Sequence, residues 1–370
     1  MTKALKVIER HTVTVGEGPH LHIGYVKEAD RVWVSNTGGD SISLLDATSG
    51  KAVGEFTLGA GPAHFAFDKG CRVGYVALSG ADGVALVDPL RPGLHQVIAL
   101  HAGSQPTGIM PAFERDRVYT LNQGDGTVSA IDTQANKVVA TIPVGGHPAW
   151  GQPWGSSYKP ITRPVGKSYV VSTDAEEVTV FDDATDTLLR RVPVGRRPVR
   201  NAIYRERAEI FVANGDENSV SVIPISDDEV AATISVGTAP FRLLPVQAIN
   251  GRDEMWVLNH GAKDQPEGEI SIVSGAERRV VGRIAVVGRP INWVVNTAGL
   301  LFVVGAGGPE LCVVDIRAGA VVTRAPLPAI PHAGAVSGLV YSGADVLFVL
   351  NADQSVSVFD VTDDAGPRRA

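Results

Sequence analysis

Short stretches in which β-branched and other apolar residues alternate with small polar ones recur along the whole chain. Eight of them end alike: ISLLD at Asp46, VALVD at Asp88, VSAID at Asp132, VTVFD at Asp182, VSVIP at Pro224, ISIVS at Ser274, LCVVD at Asp315 and VSVFD at Asp360. A period of two over such short runs is the mark of β-strands. The endings lie 41 to 50 residues apart, the length of a four-stranded propeller blade and not of a helical solenoid unit. A second set of strands stands about ten residues before each ending: RVWVSN, GYVALS, RVYTLN, YVVS, EIFVAN, EMWVLN, LLFVVG and VLFVLN. Helical periodicity is nowhere sustained.

A proline follows sixteen residues after most endings, at Pro62, Pro148, Pro198, Pro240, Pro290 and Pro331, with Pro106 two residues later in its unit and Pro19 opening the series. Each unit therefore reads as proline turn, inner strand a, strand b, a Gly/Asp/Asn turn, strand c, an Asp-led turn and strand d. The first recognisable piece, Val7 to Val15, is a d-type strand, and the last unit stops after strand c. The N-terminal strand is thus predicted to complete the last blade and remove the free sheet edges. The prediction is an all-β chain, a single eight-bladed β-propeller of four-stranded blades over residues 1–361, with 362–370 a disordered tail.

Composition agrees: 41 Gly, 23 Pro and Val-rich strands are those of an all-β fold with many tight turns. A net charge of −7 gives no electrostatic footprint for nucleic acid. No run of 18 apolar residues and no signal-like stretch occurs, so no membrane partner and a cytoplasmic location are expected. Cys71 and Cys312 fall in the second and seventh units, too far apart around the ring for a disulfide.

In a propeller the d–a and b–c connections open on one face, where ligand chemistry gathers. Seven of nine histidines map there: His20, His22, His64, His101, His147, His260 and His332. Counting from the prolines, Gln105, His147, Arg197 and Arg289 stand one residue before, His20 and His332 one after, and His64, Trp150, Arg200, Arg242 and Asn292 two after. Units eight, one and two carry an imidazole-rich arc, and units five to seven a cationic one. Neutral imidazoles from adjacent blades suit a divalent transition metal, with His20, His64 and His332 the ligand candidates and His147 in reserve. Arginine forks suit a carboxylate or phosphate, so Arg200, Arg242 and Arg289, with Asn292, are candidates to anchor an anionic small molecule. His22 and His260, and Glu17 beside the first proline turn, are candidate acid–base groups. A histidine bonded to a neighbouring carbonyl, and arginines paired with acids such as Glu17, Asp216 and Glu217, is the plain alternative.

Two insertions break the repeat. The fourth unit gains residues between its proline and strand b, including Trp150 and Trp154, with Trp150 a candidate wall for a ligand. The sixth gains residues after Asn259, with His260, Lys263, Asp264 and Glu267 on the ligand face as a rim or lid. Asp40, Asp82, Asp125 and Asp216 recur in the b–c turns for turn geometry. No nucleophile elbow, P-loop or dinucleotide fingerprint is present.

The segments VWVSN, SISLLD and KAVGEFTLGAGP, with EIFVAN, NSVSVI and VAATISVGTAP, resemble the YVTN-type propeller repeat over nearly the entire chain. That resemblance implies kinship with surface-layer proteins, lactonases, a streptogramin-cleaving lyase and the eight-bladed haem domain of denitrifying nitrite reductases. It carries over no catalytic residue. Three functions follow as expectations: a metal-dependent lyase, isomerase or hydrolase acting on an anionic substrate at the channel mouth, a haem- or tetrapyrrole-binding propeller, or a non-enzymatic protein-interaction scaffold.

Overall fold

The computed structural model describes residues 5–18, 22–68, 70–153, 166–262, 267–333, 338–342 and 345–362. They form eight four-stranded antiparallel sheets in a ring, an eight-bladed propeller. Blade 1 runs Ile23–Val26, Arg31–Asn36, Ser41–Asp46 and Ala52–Thr57, and each following blade repeats the a-b-c-d order. In blade 8 the strands Leu339–Tyr341, Val346–Leu350 and Ser355–Thr362 are completed by Lys6–Thr14 from the other chain end. That ladder begins at Lys6 opposite Thr362, so the propeller takes in one residue more than the expected boundary, while 363–370 lie outside the described residues. Among the described residues the only α-helical segment is Gln247–Asn250, and no helix is long and apolar enough to cross a membrane.

The run of apolar residues in strands b and c has a simple cause: blades pack face to face, so both sides of these strands are covered. In blade 2 every residue of Gly74–Leu78 and Gly83–Val87 is buried, whereas an outer strand such as Lys137–Pro143 alternates between wet and covered positions. The core is therefore a set of layers between blades; Trp33, Ile42 and Leu58 of blade 1 pack on Phe65, Val76 and Ala85 of blade 2. Cys71 and Cys312 are free and buried in separate layers.

The repeated polar residues stitch this frame. Asn214, at the end of strand b, donates from its amide to Ser219 and Ser221 at 3.0 and 2.9 Å; Asn36 and Asn351 likewise donate to two serines of their blades, and Asn122 to Thr127 and Ser129. Gly195 must be glycine, since a Cβ there would lie 2.6 Å from the Asn214 amide nitrogen. The Asp that ends strand c accepts backbone N–H groups of its own turn, as Asp132 does from Gln134 and Ala135 at 2.9 and 2.8 Å. The b–c acids bind the next blade: Asp40 accepts from the Gly61 N–H at 2.7 Å, and Asp82 from Gly103 and Gln105 at 2.7 and 2.8 Å.

The proline turns have a consequence for the channel. Proline brings no N–H to the ladder, and in blades 3 to 7 the a–b register slips between the proline and the residue two later: Pro106/Gly108, Pro148/Trp150, Pro198/Arg200, Pro240/Arg242 and Pro290/Asn292. In blade 2 the slip spans Pro62 to Phe65. A bulge bends its strand and re-aims a side chain. It sits just where the repeat carries its unusual residues.

Candidate functional site

The d–a and b–c loops share one face, as their mutual backbone bonds require: the N–H of His260 donates to Ala239, that of Gly215 to Arg197 and that of Ala306 to Arg289. Behind this face, strands a of blades 5, 6 and 7 border a cavity of about 230 Å³ lined by Arg200, Asn201, Arg242, Leu243, Pro245 and Trp293, among others. Arg200 and Arg242 occupy the bulge positions of neighbouring blades. Their guanidinium carbons stand 5.7 and 5.9 Å from the ring centre of Phe241, within cation–π range. Arg242 also donates to the Oδ1 of Asn292, which is buried.

Arg200 and Arg242 are both partly buried, and Nε of Arg242 is inaccessible. Burial lowers Arg200 to about 10, an unusual value for a guanidinium. Burial, and then the charge of Arg200, push Arg242 well below its ordinary value. Two like charges in a desolvated place raise each other's energy.

Facing them are two imidazoles. The rings of His22 and His64 lie 4.2 Å apart at 50°, with Phe65 against His22. Burial holds His22 well below the usual histidine range, helped by His64, Arg242 and Arg200, and burial with the Arg200 charge lowers His64 to about 4. Both are neutral at neutral pH. The Ile109 N–H donates to Nδ1 of His64 at 3.2 Å, so the neutral ring carries its proton on Nε2. Nδ1 of His22 is inaccessible and makes no hydrogen bond. Imidazole and guanidinium arcs thus look at each other across one channel, close enough to feel each other's charge.

The other predicted residues take different places. His260 stacks on Phe241 at 4.4 Å; burial lowers it, a hydrogen bond to Pro290 opposes, and Arg289, Arg197 and Arg242 lower it further. Arg289 is exposed at the mouth, and Arg197 lies 3.4 Å from Asp216. His147 is exposed and paired with Asp174, and His101 stands 3.5 Å from Asp125, so both belong to the rim. His332 is partly buried, which lowers it, and its N–H donates to Leu350. Glu17 is exposed, its carbonyl accepting from Gly39. Glu267 reaches Arg324 in blade 7 at 3.7 Å. His20, Trp154, Lys263 and Asp264 lie outside the described residues, as does the side chain of Trp150. Among the described residues no three His, Cys, Asp or Glu side chains come together as a metal site.

Sequence counting missed Asn201, Phe241 and Trp293. Asn201 and Trp293 stand three residues after Pro198 and Pro290, and Phe241 one after Pro240. The same register extended by one position, and to aromatic residues, finds them.

The fold and channel define an eight-bladed β-propeller with a cationic, histidine-faced mouth. No family model matches the chain, and no curated protein matches it. Among solved structures it is similar to BamB from Moraxella catarrhalis, with a TM-score of 0.67 at 12% identity over 96% of this chain and 100% of that one. It is also similar to the dihydro-haem d1 dehydrogenase NirN in complex with DHE, with 0.67 at 14% over 95% and 76%. Hydrazine synthase of Kuenenia stuttgartiensis gives 0.60 at 16% over 82% and 96%. At such identities the likeness is one of fold.

Proposed function

We propose that the channel mouth binds a small anionic molecule, a carboxylate held by Arg200 and Arg242, and that His22, with His64 packed beside it, moves a proton there in a lyase or isomerase reaction. The observation that carries this reading is that Arg200 and Arg242, at the bulge positions of neighbouring blades, line one cavity of about 230 Å³. An anion between them relieves the repulsion and accepts two forks of donors. It also offsets the positive field of the arginines, which adds to burial in lowering both imidazoles, so that a bound anion raises the basicity of His22 toward the value a general base needs.

The dihydro-haem d1 dehydrogenase NirN is named for a haem-related compound, and a tetrapyrrole is among the ligands the sequence leads one to expect. The cavity, at about 230 Å³, is smaller than the roughly 300–1,000 Å³ of sites for drug-sized ligands, which favours a smaller molecule. Among the described residues no three potential ligands come together, and the reading assigns no step to a metal. Titration calorimetry with lactate and with pyruvate tests the proposal: saturable binding of at least one, weakening with added salt, is the expected result, and binding of neither at millimolar concentration defeats it. Plasma mass spectrometry on the same sample decides whether a transition metal accompanies the protein.

A further inference from the structure

The cavity is longer than a three-carbon acid requires. It follows strand a of blade 5 from Arg200 to Ile203 and strand a of blade 6 from Arg242 to Pro245. Three residue steps along a strand cover about 10 Å. The two carbon–carbon bonds of pyruvate or lactate, at about 1.5 Å each, span less than half of that.

Its two ends differ in chemistry. Arg200 and Arg242 hold the end nearest the loop face, at the bulges. Beyond them the lining turns apolar, with Ala202, Ile203, Leu243, Pro245 and, from blade 7, Trp293. Asn201 also borders this stretch, but its amide is tied to the Tyr169 carbonyl of blade 4 at 3.0 Å. Leu243, Pro245 and Trp293 are each only partly buried. Trp293 packs one side on the layer of Trp256, Leu258 and Leu301, and Leu243 packs on the layer of Tyr204, Met255 and Val257. The surface they leave uncovered therefore belongs to the cavity. Apolar surface kept open to water costs free energy in proportion to its area, and small-molecule sites combine such a wall with a few placed polar groups.

We infer that the ligand is a carboxylate with a compact apolar tail, its head held by Arg200 and Arg242 and its tail laid along Leu243, Pro245 and Trp293. Resting on the anion reading above, this narrows it to one class. None of the residues lining the far end carries a charge, so a second ionised group finds no partner there, whereas a ring or a branched alkyl group covers the exposed wall. An aryl tail gains further from offset or edge contact with the Trp293 indole. Head and tail respond differently to solution conditions: salt screens the ionic head and does not weaken the apolar contact.

Titration calorimetry of the intact chain at pH 7.5 compares acetate with phenylacetate and with 4-methylpentanoate, and lactate with 3-phenyllactate. At least one tailed acid is expected to bind at least tenfold more tightly than its untailed partner, the gain from burying about two methylene groups. The tailed acid should also show the more negative heat-capacity change, and the gap should survive added salt. Trp293→Ala is expected to narrow it. Binding of the untailed acids with no gain in any tailed one overturns the inference and leaves the anion reading standing. Binding of none of the five overturns both. A gap unchanged in a folded Trp293→Ala variant overturns the assignment of the tail to this wall. The comparison on the unaltered protein decides the matter even if that variant does not fold.

Discussion

Blade 5 holds two buried asparagines that look alike and do different things. Asn214 ends strand b, gives its amide to two serine hydroxyls of its own blade and packs against Gly195. Asn201 lies on strand a, ties its amide to the backbone of blade 4 and borders a cavity with Arg200 and Arg242. The first is repeated around the ring and the second is not. Burial of polar groups is common to frame and channel; what separates them is charge, an adjacent space and departure from the repeat.

The sharpest way to break this comparison is to strip the charge from the channel. Arg200→Met with Arg242→Met should weaken pyruvate or lactate binding at least a hundredfold, about 3 kcal/mol, measured by calorimetry. Stability should change by only about 1 kcal/mol, because relief of the burial of two like charges is set against the hydrogen bond that Arg242 gives to Asn292 and the contacts with Phe241. A large drop in Tm together with unchanged affinity would reverse the roles assigned to frame and channel.

Asn214→Ala should do the opposite. It removes two hydrogen bonds inside the blade and opens a small void beside Gly195, although it also removes an amide oxygen with no partner. The net loss should be about 2 kcal/mol in denaturant unfolding, with ligand affinity intact.

How much of this contrast is legible in the sequence follows from what repeats. Period, proline register and the alternating strands define the blades, because both faces of every blade must be covered and every turn needs its Asp, Asn or Gly. The same register brought Arg200, Arg242 and Asn292 to successive inner strands, since the bulge falls at one place in each. It did not reveal that His147 and His101 turn to acids of the b–c loops, Asp174 and Asp125; those partners lie 27 and 24 residues away in sequence, and their side chains have rotamer freedom that no period encodes. Nor did it single out Asn201, an uncharged residue whose meaning depends on one carbonyl in the neighbouring blade.

Acid offers a smaller lever on the same contrast. Above about pH 6.5 the His64 imidazole is neutral in folded and unfolded chains alike. As pH falls toward the folded value of about 4, the unfolded chain takes up a proton that the folded one refuses, so stability declines, and below that value the loss levels off. Allowing for partial exposure at the channel, the contribution is about 2 kcal/mol at most. His64→Gln should flatten this part of the profile in urea unfolding between pH 7 and pH 4. Parallel profiles for the two proteins would mean that the imidazole charges as easily in the fold as outside it.

The smallest effect is expected where the frame is most generic. Asn218 sits in the b–c turn of blade 5 with φ at +53°, and its Oδ1 accepts from the Ala239 N–H at 2.9 Å. This is the task Asp40 and Asp82 perform in blades 1 and 2 with a carboxylate. Alanine there tolerates the left-handed backbone poorly and accepts nothing, but water can reach the released N–H, so Asn218→Ala should cost about 1 kcal/mol. Asn218→Asp should leave Tm unchanged, since the acceptor and the backbone preference both survive. Frame positions would then be shown indifferent to charge, which is the property the channel arginines lack; a marked loss in Asn218→Asp would place the frame, too, under electrostatic control.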